Sequence, residues 1–166
     1  MNTKVIDALM KADDPSVRYW LLRDVLDEPP GSDRLVKLRE EIRNSLRVRA
    51  MLDLRQADGS FPWHAYSKWR GAFWTLLQLT DLGYPAGDKG LIPLREQLLG
   101  WLLDPERLKK IPLLEGRYRR CALQEASAMY SLIKLDLADE RVDQLAELLR
   151  KWQWPEGGWN CDREPE

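Results

Sequence analysis

The chain has 166 residues, the size of one ordinary domain, so the expectation is a single domain over 1–166 rather than two independent cores. With 44% hydrophobic and 32% charged residues and a net charge of only -1, it reads as globular and lacks the basic excess of a nucleic-acid binder. The longest stretch free of charge, Gly71 to Thr80, is about half a bilayer span, and the opening MNTKVIDALMKADD meets acidic residues too early for a signal peptide. A cytoplasmic protein is therefore expected, with peripheral membrane contact left open.

Asp14-Pro15 marks the first clear helix start, a cap residue followed by proline, and leads into Ser16 to Asp27 with Val17, Trp20, Leu21 and Val25 as its apolar stripe. Pro29-Pro30-Gly31 ends it, so residues 1–31 form an N-terminal helical cap. Ser32 then caps a charged helix over Asp33 to Arg55, with Leu35, Leu38, Ile42 and Leu46 near helical spacing and a break left open at Asn44-Ser45. Gly71 to Leu82 and Arg120 to Leu135 are apolar nearly all round, the pattern of inner helices buried on every side, whereas Leu91 to Leu103 and Glu140 to Trp152 are amphipathic outer helices. No segment alternates like a strand, so the expected fold class is all-α.

The chain contains eight Trp against two Phe, and six of the Trp fall at or between helix ends. Aligning LREQLLGW (from Leu94) on LAELLRKW (from Leu145) gives an offset of 51, and MLDLRQADGSF (from Met51) falls on LLRKWQWPEGGW (from Leu148) at 97. That spacing predicts about three copies of a helical hairpin, each needing its neighbours to bury its apolar face. Two connectors repeat a theme, Gln56-Ala57-Asp58-Gly59-Ser60-Phe61 and Gln153-Trp154-Pro155-Glu156-Gly157-Gly158-Trp159. In each, glutamine precedes a glycine turn and an aromatic follows two residues after the glycine. The expected roles are a positive φ at glycine, a glutamine amide serving open backbone groups, and an aromatic lid on a helix end.

These connectors resemble the QW motifs of the squalene cyclase and protein prenyltransferase superfamily, and the stretch from Arg120 to Asp162 is most similar to bacterial squalene cyclase-like or prenyltransferase-like proteins. The resemblance covers roughly Leu46 to Asp162. It implies an α/α-toroid-type arc of about three to four helical hairpins, a partial toroid, and an isoprenoid-type ligand. The motif Asp-x-Asp-Asp with which squalene cyclases protonate substrate is absent, Asp13-Asp14 being the nearest approach, and Asn160-Cys161-Asp162 with the single His64 does not match the prenyltransferase zinc ligands. No metal or cofactor is therefore expected, and catalysis is not evident. About half a ring is expected to leave apolar surface uncovered and to self-associate.

Candidate ligand-binding residues are the aromatic group Trp63, His64, Tyr66, Trp69, Phe73 and Trp74, together with Cys121, Glu125, Trp154 and Trp159. Aromatic faces suit an apolar chain or a carbocation, with a repeat-closing core as the alternative. Glu125, Asp162 and His64 are the best catalytic candidates, Glu125 because a carboxylate on an apolar helix requires a partner such as Arg70, Arg119 or Arg120, a proton, or a cavity. Arg117, Arg119 and Arg120, with Lys109 and Lys110, form a basic cluster able to hold a phosphate or diphosphate, or simply a solvated loop face. Two further readings stand beside the isoprenoid one. In an (α/α)6-type carbohydrate-active enzyme, two of Asp58, Glu125 and Asp162 would be the carboxylates. In a helical-repeat scaffold, the signature would be an exposed apolar patch.

Overall fold

Helix ends follow their cap residues closely in the computed structural model, which describes residues 3–162; the last four residues of the CDREPE terminus lie outside the described residues. After α1 (Thr3–Met10), the Asp14 carboxylate accepts the Ser16 N–H at 2.9 Å and starts α2 (Pro15–Trp20), which runs on as a wider π turn over Leu21–Val25. Ser32 caps α3 (Asp33–Arg43) and Ser45 caps α4 (Leu46–Leu52). The helix expected to run from Asp33 to Arg55 is thus two helices, because the Ser45 hydroxyl takes the Val48 N–H and restarts the chain at the break. There follow α5 (Ala72–Leu82), α6 (Ile92–Leu102), α7 (Pro105–Lys109), α8 (Leu123–Lys134) and α9 (Glu140–Trp152).

The described residues are mostly helical, and the all-α expectation is corrected only by a small hairpin. Strands β1 (Leu113–Leu114) and β2 (Arg117–Tyr118) pair antiparallel, Leu113 opposite Tyr118 and Leu114 opposite Arg117. Glu115 and Gly116, both at positive φ, close a two-residue turn of the kind tight hairpins require. Two-residue strands are too short to show alternation in a sequence.

The chain divides into two compact units. One comprises Met1–Leu54 with Gln78–Ala86, the other Arg55–Leu77 with Gly87–Glu166. In the first, Tyr19, Leu22, Leu35, Ile42 and Val48 are buried, the Tyr19 hydroxyl accepts from the Arg39 guanidinium at 2.8 Å, and the Trp20 indole N–H donates to the Asp81 carbonyl at 2.7 Å. The second unit carries the candidate site. Its core includes a leucine layer from α6 (Leu94, Leu98, Leu99, Leu102), Leu132 of α8 and Leu145 of α9, each fully buried. Burial of this kind contributes about 1.5–3 kcal/mol per leucine before entropy is counted.

Helix α8 packs against both α6 and α9. Burial on every side, expected for this inner helix, does not hold: Leu123, Tyr130 and Ile133 are exposed, Ile133 at 57%. They recur at helical spacing and form one apolar stripe. Helix α5 comes closer to the expectation, with Ala72, Phe73, Leu76 and Leu79 all buried. Its start requires Gly71, where a Cβ would lie 2.4 Å from the Ala65 carbonyl oxygen and 2.7 Å from the Ser67 nitrogen. That close approach folds the aromatic linker back on its own helix, with the Phe73 N–H donating to the Ala65 carbonyl.

Candidate functional site: a cationic cavity beside an aromatic cluster

The two glycine connectors are true structural repeats, although in a register one residue away from the sequence alignment. Gln56 N–H donates to the Ser60 carbonyl and Gly59 N–H to Gln56; Trp154 N–H donates to Gly158 and Gly157 N–H to Trp154. Gly59 and Gly157 share a positive φ, 84° and 89°. Gln56 therefore corresponds to Trp154, not Gln153, because backbone closure of the turn sets the register rather than glutamine identity. The aromatic role holds at Trp159, whose indole N–H caps the Leu149 carbonyl of α9 at 2.8 Å. The glutamine role passes elsewhere. The Gln56 amide reaches only the Ser60 hydroxyl, whereas Gln97 of α6 accepts the Phe61 N–H and donates to the carbonyls of Phe61 and Trp63, both at 2.9 Å.

Gln97 thereby pins the aromatic linker to α6. Tyr66 lies 5.1 Å from Phe73, 5.4 Å from Trp74 and 5.3 Å from Trp101 between ring centres, and Trp69 meets Trp74 edge-on at 4.3 Å. These are the separations at which aromatic rings attract beyond simple burial. Phe73 is buried, while Trp69 at the end of the series is 64% exposed. Trp63 stacks on Phe61 and donates to the Arg70 carbonyl. His64 lies edge-on to Trp101 at 5.3 Å, and its Nδ1 accepts the Tyr66 N–H.

Trp101 joins this cluster to a cavity of about 370 Å³, whose wall includes His64, Arg107, Lys110, Pro112, Arg119 and Arg120. Short elements bring these side chains together. Asp104 caps the single turn of α7 and presents Arg107, and the β1–β2 hairpin returns the chain so that Arg119 N–H bonds the Pro112 carbonyl. Glu125, fully buried on α8, is the anchor: its Oε1 accepts from Arg120 at 2.5 Å and from Arg107 at 3.2 Å. The Gln124 side-chain amide oxygen accepts from the same two guanidinia. Of the three expected partners of Glu125 only Arg120 is used, and Arg107 takes the second place. Arg107 also lies over the Trp101 ring at 4.6 Å. Burial, and then the neighbouring Arg120 charge, lowers the Arg107 pKa from its ordinary value.

Arg119 differs from the other two arginines. It is 6% exposed, its Nε has no hydrogen-bond partner, as is also true of the Arg120 Nε, and the carboxylate it pairs with, that of exposed Glu115, is 4.0 Å away. Trp154 braces it from behind, with the guanidinium 5.0 Å from the ring and the indole N–H fixed to the Tyr118 carbonyl. Trp154 thus belongs to the site as a support. Arg117, by contrast, pairs with Glu156 at 2.8 Å, and Lys109 with Glu106 at 2.6 Å.

The remaining candidates stand apart. The exposed Asp58 carboxylate accepts the N–H and hydroxyl of Ser60, bonds that hold its pKa below the ordinary value. Asp162 donates its N–H to the Asn160 side chain, and neither aspartate lines the cavity. Cys121 is half-buried and Cys161 exposed, both as free thiols. Among the described residues, no group of three or more His, Cys, Asp or Glu is placed to hold a metal ion, and no helix is long and apolar enough to cross a membrane. Sequence reasoning missed Trp101 and Arg107; the available signal was Asp104-Pro105, a cap and first-turn proline that start a new helix just after Trp101. No family model matches the chain, and comparisons with curated proteins and with solved structures find no match.

Proposed function

We propose that the protein is a ligand-binding helical-repeat module of the cytoplasm whose ligand is an amphiphile, with an anionic head in the arginine cavity and an apolar portion on the adjoining aromatic rings. One observation carries this reading: Trp101 belongs both to the cavity wall and to the ring series that runs through Tyr66 and Trp74 to exposed Trp69. Arginine forks suit oxyanions, and aromatic faces suit an isoprenoid-type chain. The likeness of the glycine connectors to QW motifs supports the same apolar component and an α/α-toroid-type arrangement of hairpins. The role is binding. Glu125, the strongest acid candidate, is committed to two arginines.

Fluorescence titration of the tryptophans tests the reading with three probes: citronellyl phosphate, citronellol and inorganic phosphate. The phosphate ester is expected to bind more tightly than either half, with an affinity that weakens as salt rises. Equal binding of citronellol would remove the anionic head, and absence of binding by all three would overturn the proposal.

A second reading rests on the α8 stripe. Leu123, Tyr130 and Ile133 form an apolar surface suited to a further helical hairpin, supplied by a second copy or by another protein.

A further inference from the structure

We infer that the anionic head is a dianion, a phosphate monoester rather than a phosphodiester or a single carboxylate. The inference rests on the reading of the cavity as an anion site and deepens it, and charge balance around the cavity is its basis. Arg107 and Arg120 converge on one buried carboxylate, and both contacts fall on the same oxygen of Glu125. One positive charge of that trio is therefore uncompensated. Arg119 contributes a second, because its nearest acid is an exposed carboxylate at 4.0 Å whose attraction is screened by water.

The rim does not cancel this excess. Asp104 keeps its negative charge while it caps α7 and acts on Arg107, but exposed Lys110 offsets it, and Glu106 is engaged by Lys109, so the rim adds no net charge. Two guanidinium charges in excess of the buried carboxylate are costly to hold in this partly desolvated cluster, and a single anion carrying two charges offsets both. A phosphate monoester carries nearly two negative charges at neutral pH and offers three terminal oxygens, enough for more than one arginine fork. A diester has one charge and two such oxygens. The volume of about 370 Å³ holds the phosphate group and the first atoms of its ester, leaving the rest of the ligand to the Trp101 side.

Isothermal titration of the full chain at about pH 7.5, above the second phosphate ionisation near 6, with constant ionic strength, is the test. The probes are phenyl phosphate, diphenyl phosphate and benzoate. Phenyl phosphate is expected to bind at least about tenfold more tightly than the other two, equivalent to about 1.4 kcal/mol. Equal affinity for phenyl and diphenyl phosphate would overturn the dianion while leaving an anion site in place; no binding by any probe would overturn both readings. Arg119→Gln, with its fold checked by circular dichroism, is expected to bring monoester and diester within about twofold, removing one of two uncompensated charges. Retention of the full preference in that variant would overturn the role of Arg119. Lys110→Gln, an exposed change that leaves the buried cluster intact, is expected to weaken binding of the phosphate monoester, and unchanged affinity would place the anion outside this cavity.

Discussion

Single ionisable residues in the second unit show how far a carboxylate's neighbours set its behaviour. Glu96 of α6 receives two bonds from Arg141 of α9, at 2.7 and 2.8 Å, with Arg95 beside it, and these hold its carboxyl down to about 2 from the usual 4.5. Asp139, which caps α9 and also bonds Arg141, is lowered for the same reason. A depressed carboxyl contributes stability that is fully present above its unfolded pKa and is lost as pH falls through its folded one. The stability difference between the natural chain and Glu96→Gln is therefore expected to be largest above pH 4.5 and to vanish near pH 2, as measured by urea unfolding across that range. A difference that persisted unchanged at pH 2 would refute the linkage. Its size is expected to be modest, because the Glu96 side chain is 46% exposed and its ion pairs are screened. Glu125 illustrates the opposite extreme. Its presence on an apolar helix was legible as a problem needing a partner, but the second arginine, from α7, was not, since the five residues of that helix give no period to read.

At the scale of elements, the linker before α5 depends on Gln97 more than on the glutamines of the repeated connectors. Gln97 serves three backbone groups of residues 61–63 from a half-buried position, so Gln97→Leu would strand one N–H and two carbonyls close to a buried phenylalanine. The expected cost is about 1–3 kcal/mol by denaturant unfolding, together with a change in tryptophan fluorescence as Trp63 and its neighbours loosen. A loss within error of zero would show that the linker is held by ring packing alone. Helix positions and caps were read well from the sequence: α9 occupies its expected span, and α6 and α8 begin and end within a few residues of theirs. Caps and periodicity are local, and local chemistry survives in one dimension. The offset of 97 between the connectors failed by one residue because a turn's register is a backbone hydrogen-bond pattern that side-chain identity only approximates.

Across the whole molecule, the apolar stripe on α8 is the feature most at odds with an isolated chain. Leu123, Tyr130 and Ile133 remain exposed on a helix whose other faces pack on α6 and α9. Self-association through this stripe is the expected outcome, seen as a concentration-dependent mass in sedimentation equilibrium, and Ile133→Glu is expected to shift it at least about tenfold toward monomer by placing a charge in the apolar contact. A natural chain that stayed monomeric to about millimolar concentration, where affinity is only about 4 kcal/mol, would contradict it. The sequence by itself determined the helical class, the breakpoints at proline and glycine, the glycine connectors and the presence of an acid requiring a partner. Each of these follows from covalent geometry, short-range periodicity or the cost of burying a charge. Only the tertiary structure decided that Arg107, Arg119 and Arg120, far less conspicuous in the sequence than the tryptophans, meet around one cavity with Trp101. That convergence depends on a one-turn helix and a two-residue hairpin reversing the chain, and neither is long enough to leave a pattern that sequence alone can show.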